Sequence, residues 1–262
     1  MIKKLFGNRI FYKNLIAVTI PIILAQLITQ FVGLLDNLMV GQLTTAEFNG
    51  VSIANQFFFI FNLAIFGAFA GPGIYATQHH GAKNLERVKE CIRYKWVIGI
   101  IISVVGIIVF LTCDDLLFNL FIHEEELGDV DPLEVIKSGK EYVKVMLIGL
   151  IPFMISEIYS TNLREAKQTL IPMVANIIAV FVNLILNYIF IFGKFGAPAL
   201  GVVGAAIGTV VSRIVCCLIV IIYAHSSKKY RFNSEVFKKL LPSKKSFISI
   251  FKKSYILLIN EF

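Results

Sequence analysis

Leu170-Ile-Pro-Met-Val-Ala-Asn-Ile-Ile-Ala-Val-Phe-Val-Asn-Leu-Ile-Leu-Asn-Tyr-Ile-Phe-Ile-Phe192 carries no charge, and its only amides are Asn176, Asn183 and Asn187. Crossing about 30 Å of hydrocarbon takes roughly 20 mostly apolar residues. Backbone groups in lipid must be satisfied within the segment, so such a run reads as helix rather than strand. Outward from it, further apolar blocks fall at Asn14–Val40, Val51–Thr77, Trp96–Cys113, Val143–Asn162 and Leu200–Ala224. The expected fold is therefore all-α and integral to the membrane, a bundle of six transmembrane helices. Composition agrees: 57% of the 262 residues are hydrophobic and 16% charged, with a mean hydropathy of +0.77, where soluble domains carry about a quarter charged residues.

The net charge of +8 does not point to nucleic acid, because the basic residues lie between apolar blocks rather than along one face. They also set a direction, since cytoplasmic connectors retain Lys and Arg. Lys3, Lys4, Arg9 and Lys13 precede the first block. Lys83, Arg87, Lys89, Arg93 and Lys95 follow the second, Arg164 and Lys167 the fourth, and a Lys-rich stretch from Lys228 to Lys253 the sixth. The alternate connectors are poor in base, and 114–134 is acidic with no Lys or Arg. A cytoplasmic N-terminus is expected, with residues 1–224 forming the lobe and 225–254 a basic cytoplasmic connector. The first block is too long for a signal h-region and is expected to remain as an anchor. Residues 255–262 open a seventh apolar run, which spans only about 12 Å as helix. It reads either as a short re-entrant or surface tail or as a truncated helix seven, the reading preferred here. Cys91, Cys113, Cys216 and Cys217 lack metal or disulfide spacing and are expected as apolar fillers.

Polar side chains inside spans are costly and usually face the bundle interior or a wet cavity. Gln26, Thr29, Gln30, Gly33, Asp36 and Asn37 form one stripe on span one. Ser52, Asn55, Phe59 and Asn62 share a face of span two, with Gln56 beside it, and Asn176, Asn183 and Asn187 align on span five. These stripes suggest a hydrated cavity, with Gln26, Gln30, Asn55, Gln56, Asn62 and Asn176 as candidate solute-facing groups. The alternative is that the amides only bind neighbouring helices together, and that Asp36 sits in the headgroup zone. If Asp36 faces inward, its carboxylate and the amide oxygens of Asn183 and Asn187 could hold Na⁺, or the carboxylate could take up H⁺. Gly201, Gly204, Ala205 and Gly208 on span six read as a close-packing stripe, with Thr209 and Ser212 beside it. Pro21, Pro72 and Pro152 are expected to bend their helices. Glu157 and Arg213 either form an ion pair or Glu157 snorkels to the interface.

Four stretches of sequence carry a resemblance. Asp36-Asn-Leu-Met-Val-Gly-Gln42, Val51-Ser-Ile-Ala-Asn-Gln56 and Gly81-Ala-Lys-Asn-Leu-Glu86 make up the first part. The longest match runs from Arg164 to Arg213 and contains Asn183-Leu-Ile-Leu-Asn-Tyr-Ile-Phe-Ile-Phe-Gly193 and Leu200-Gly-Val-Val-Gly-Ala-Ala-Ile-Gly-Thr209. Together they resemble multidrug and toxic compound extrusion (MATE) transporters. The resemblance implies one six-helix lobe of a twelve-helix fold that exports drugs or other organic solutes against Na⁺ or H⁺. It implies a cation site at Asp36, Asn183 and Asn187, with Thr209 less surely a ligand. Some members have an acid where this chain has Asn187, which leaves the coupling ion open. It also likens Glu261 to a helix-seven acid, with a missing C-terminal lobe or a second half-transporter as partner. The competing readings are a lipid-linked saccharide flippase, a non-transporting interaction subunit and an intramembrane enzyme. For an enzyme, His79-His80 and Asp114-Asp115 lack the required spacing. No cofactor is expected beyond the coupling ion.

Overall fold

The computed structural model describes residues 9–122, 130–230, 232–239 and 241–261. Lys3, Lys4, Glu124, Glu125, Glu126, Asp129, Arg231 and Phe262 lie outside the described residues, as do the side chains of Pro21, Thr29 and every residue from Tyr255 onward.

Ten α-helices follow one another among those residues: α1 Arg9–Val40, α2 Thr45–Gly81, α3 Leu85–Thr112, α4 Asp114–Phe121, α5 Pro132–Met146, α6 Leu150–Glu165, α7 Leu170–Phe192, α8 Gly201–Ser226, α9 Phe232–Glu235 and α10 Lys244–Glu261. There is no strand among them. Six segments are long and apolar enough to cross a bilayer; α5 and α6 together make the fourth, Pro132–Glu165. Large apolar side chains point outward from them, including Leu27, Phe31, Ile108, Leu111, Ile185 and Ile222. In water such a surface would be an aggregation liability; in a bilayer it is the lipid face of a multi-pass membrane protein.

The helices overrun their apolar blocks because caps, not hydropathy, set their ends. Thr44 and Glu47 form a capping box that starts α2 six residues before Val51, with Glu47 N donating to Thr44 Oγ1 at 3.3 Å. Asn84 caps α3 by accepting from Arg87 N at 3.2 Å. Asp131 accepts from Leu133 N at 2.9 Å, ahead of Pro132, so the fourth span begins well before Val143. Pro152 cannot bond the Ile148 carbonyl, and the chain tightens into a 3₁₀ turn over Leu147–Gly149 just there. Gly193 ends α7 at φ +64°, and a Cβ there would lie 2.8 Å from Ala199 N.

α2 runs through the centre, touching α3, α5, α6 and α10, while α7 and α8 pack along most of their length and α1 lies on α7. The expected small-residue stripe is the reason α7 and α8 approach closely. A Cβ at Gly204 would lie 2.6 Å from both C and O of Phe190.

The basic segment after α8 differs from a solvated loop. Arg93 Nε donates to Lys239 O at 2.8 Å, Ser243 N donates to Glu90 Oε2 at 2.7 Å, and Lys89 pairs with Glu235 at 2.6 Å. Asn162 Nδ2 reaches Asn233 Oδ1 at 3.1 Å. Arg93 and Lys95, counted above as connector residues, are thus buried members of α3. Lys95 Nζ donates to Glu165 and, at 3.1 Å each, to Thr161 Oγ1 and Asn162 Oδ1. Helix α10 starts at Lys244, ahead of the apolar run at Tyr255, and packs on α2 and α3.

Candidate functional site

A cavity of about 790 Å³ opens among α1, α2, α6, α7 and α8. Asp36 comes to its wall from the last turns of α1, and Asn176 and Asn183 from α7, with Asn187 one turn beyond Asn183. Thr209, Ser212 and Arg213 come from α8. The seven- and four-residue spacing of the asparagines turns them to the same side of α7.

Asp36 is half-buried and turned toward α7. Asn187 Nδ2 donates to Asp36 Oδ1. The same Nδ2 lies 3.4 Å from Asn183 Oδ1, and Asn183 Nδ2 donates to Thr209 Oγ1 at 3.2 Å. Thr209 in turn donates to Ala205 O at 3.1 Å. One polar chain therefore links three helices. Asn187 is fully buried, and its Oδ1 has no donor. That orphan oxygen, the carboxylate, Asn183 Oδ1 and Thr209 Oγ1 make an all-oxygen donor set of the kind a hard alkali cation takes.

Of the candidate solute-facing groups, Gln26, Gln30, Asn62 and Asn176 line the cavity. Asn62 Oδ1 is buried without a partner, while Asn176 Oδ1 accepts from Cys216 Sγ at 3.2 Å. Asn55 and Gln56 are not among the lining residues. Gln56 is exposed, and Asn55 Oδ1 instead accepts from the Tyr142 hydroxyl at 3.2 Å. Glu261 ends α10, and its side chain lies outside the described residues.

The Glu157–Arg213 ion pair, one of the two readings above, is not among the described ion pairs, although both side chains line the cavity. The reason is helix register. Arg213 stands level with Gly149, where a Cβ would lie 3.3 Å from Arg213 Cδ, and its guanidinium carbon lies 5.0 Å from the centre of the Phe153 ring. Glu157 is two turns past Gly149, about 12 Å along the helix.

Two residues not singled out in the sequence also belong here. Tyr142 is buried and lies within electrostatic reach of both Asp36 and Arg213. Its signal was the spacing Val135, Gly139, Tyr142, Met146, all buried on one face of α5, a segment that Lys137, Lys140 and Glu141 remove from a hydropathy reading. Arg164, assigned above to a connector, lines the cavity.

Known proteins share this architecture. The chain is 32% identical over 203 residues to the probable multidrug resistance protein NorM of Thermotoga maritima, covering 78% of this chain and 42% of that protein. With the probable NorM of Mannheimia succiniciproducens it shares 28% over 245 residues, 92% of this chain and 50% of the relative. It thus spans about half the length of the curated relatives it matches. A crystal structure of a MATE protein in complex with MaL6 superposes with a TM-score of 0.79 at 19% identity, over 95% of this chain and 52% of that one. An outward-facing multidrug resistance MATE family transporter gives 0.78 at 20% identity, over 95% and 52%. The MatE family model matches residues 21–189, most of the six-helix lobe with Asp36, Asn183 and Asn187 inside it, and the chain belongs to that family.

Proposed function

We propose that this chain is the N-terminal lobe of a cation-coupled antiporter that exports drugs or other organic solutes across the plasma membrane, with its N-terminus in the cytoplasm. The observation that carries the reading is the hydrogen bond from Asn187 to Asp36, the acid of the first span, on the wall of a cavity with polar and aromatic lining. Asn187 Nδ2 serves as the carboxylate's donor. A half-turn of that amide presents Oδ1 to Na⁺ held between it, Asp36 and Asn183. Protonation of Asp36 is the H⁺ counterpart, and it converts an acceptor into a donor. Either event changes what α1 can bond to on α7, and so biases the position of α1. Because the relatives are about twice as long, a second lobe, on the same polypeptide or from a second half-transporter, completes the solute path. A lipid-linked saccharide flippase ranks second: Arg164 and Arg213 suit a phosphate, but Asp36 and Glu157 offset them in the same cavity.

The test is thermal unfolding of the purified chain in detergent, in NaCl against choline chloride at matched ionic strength. At Na⁺ ten-fold above its dissociation constant, mass action adds about 1.4 kcal/mol, or a rise of about 3–5 °C for a chain of this size. Asp36→Asn should abolish the shift. A shift that persists in Asp36→Asn contradicts the assignment, and no shift in either protein assigns the site to H⁺ alone.

A further inference from the structure

We propose that the crevice between α2, α3 and α10 holds the phosphate of an anionic phospholipid, whose acyl chains lie on the outward face of α10. The crevice shares no lining residue with the cavity that Asp36 lines.

Helix α10 is turned the opposite way to a helix docked in water. Its buried side chains against α2 and α3 are Ser246, Ile250 and Ser254, at 5%, 8% and 4% exposure, while Ile248 and Phe251 stand outward at 44% and 49%. Ser254 is seated directly on Gly71 of α2. Hydroxyls inward and apolar groups outward suit a helix whose outer surroundings are hydrocarbon. Lys244, Ile248 and Lys252 follow one another at four-residue steps, all exposed, so two lysines bracket the apolar pair along one row. Long stems let such lysines lie along hydrocarbon while their ammonium groups reach the headgroups.

The crevice has about 70 Å³ of room, the scale of one headgroup phosphate rather than of a drug-sized solute, which takes roughly 300 Å³ or more. Arg87 from α3 and His79 from α2 line it, with Ser246 and Ser249 from α10. Arg87 Nη1 donates to Ser246 Oγ at 3.3 Å and is in none of the described ion pairs. The acids nearby are already matched. Glu90, which also lines the crevice, takes Arg93 on one oxygen and Ser243 N on the other, each at 2.7 Å, and Glu86 takes Lys89 at 3.0 Å. Lys244 and Lys245 stand between Ser243 and Ser246, the two residues tied to Glu90 and Arg87, and both are exposed. The uncompensated charge is therefore positive, carried by Arg87, Lys244 and Lys245. A phosphodiester with a net negative charge matches it. A zwitterionic headgroup brings its own ammonium to the same bases, and a nucleic acid has nothing to lay on Ile248 and Phe251.

Native mass spectrometry of the delipidated full chain in detergent tests this with dioleoyl phosphatidylglycerol, dioleoyl phosphatidylcholine and glycerol 1-phosphate. Phosphatidylglycerol should bind about ten-fold tighter than phosphatidylcholine, which differs from it only in the headgroup. Glycerol 1-phosphate in about hundred-fold excess should not displace it. Arg87→Gln with Lys245→Gln should bring phosphatidylglycerol down to the affinity of phosphatidylcholine. Lys13→Gln with Lys167→Gln removes the same charge outside the crevice and should keep the preference. Phe251→Ser should weaken both lipids alike. The wild-type comparison needs no variant to fold. Equal binding of the two lipids to the wild-type chain overturns the proposal, as does a preference lost equally in both double variants. Displacement by glycerol 1-phosphate would assign the crevice to a soluble phosphate and overturn it too.

Discussion

Lys95→Met should destabilise the protein by about 3–5 kcal/mol, the range for removing one partner of a buried ion pair. Lys95 is 0% exposed, and each of its three ammonium protons has an acceptor: Glu165, Thr161 and Asn162. Without it, Glu165 becomes a buried carboxylate whose second oxygen already lacks a partner. Asn162 would also lose its Oδ1 donor while still holding the segment after α8 through Asn233. The loss should therefore spread from α3 to α6 and on to that docked segment. The double variant Lys95→Met, Glu165→Met removes both charges and should recover most of the stability, since apolar replacements of similar volume are often neutral. Unfolding by SDS titration in mixed micelles reads both. A single variant as stable as the wild type, or a double variant worse than the single, would show that the pair is not what joins these helices.

Two glycines four residues apart on α8 should fail in different ways. Gly204→Ala places a methyl group against the backbone of Phe190, with C and O both 2.6 Å away and Ile191 N at 2.9 Å. Backbone cannot turn aside as a side chain can, so α7 and α8 must separate, at an overpacking cost of about 1–3 kcal/mol or more. Gly208→Ala meets the Asn187 side chain instead. That amide is fully buried and holds Asp36, so it moves off the carboxylate while the helices stay in contact. The expected result is a lower unfolding midpoint for Gly204→Ala with its Na⁺ response retained, and a smaller stability loss for Gly208→Ala with the Na⁺ response lost. Identical behaviour of the two variants would mean that Gly208 serves packing alone.

The spans were legible because hydropathy over some 20 residues is a one-dimensional signal and lipid leaves helix as its only expression. Their ends were not, because Thr44 with Glu47 and Asp131 with Pro132 act through single hydrogen bonds at polar positions that hydropathy discards. Helical periodicity put Asp36 on one polar stripe and Asn183 with Asn187 on another, the family resemblance added Thr209, and the four meet in one network. What could not be read was the offset between helices. Glu157 and Arg213 face the same cavity, as their periodicity allows, yet register sets Arg213 level with Gly149. Asn55 likewise lies on the expected face of α2 but is taken up by Tyr142 from another helix. Burial of Lys95 was hidden for a related reason. A lysine beside other bases reads as solvated, and the carboxylate that changes this lies 70 residues away.

Infrared difference spectroscopy on the membrane-embedded chain asks the central question of the carboxyl group itself. As pH is raised, or as Na⁺ is added at fixed acidic pH, the wild-type chain should lose the carbonyl stretch of a protonated carboxylic acid and gain a carboxylate band, accompanied by a shift of an asparagine amide band. In Asp36→Asn the carboxyl signals that Na⁺ displaces should vanish, and in Asn187→Ala the amide shift should vanish. Difference spectra that are the same for wild type and Asp36→Asn would contradict the account, because the acid on α1 would then exchange neither H⁺ nor Na⁺.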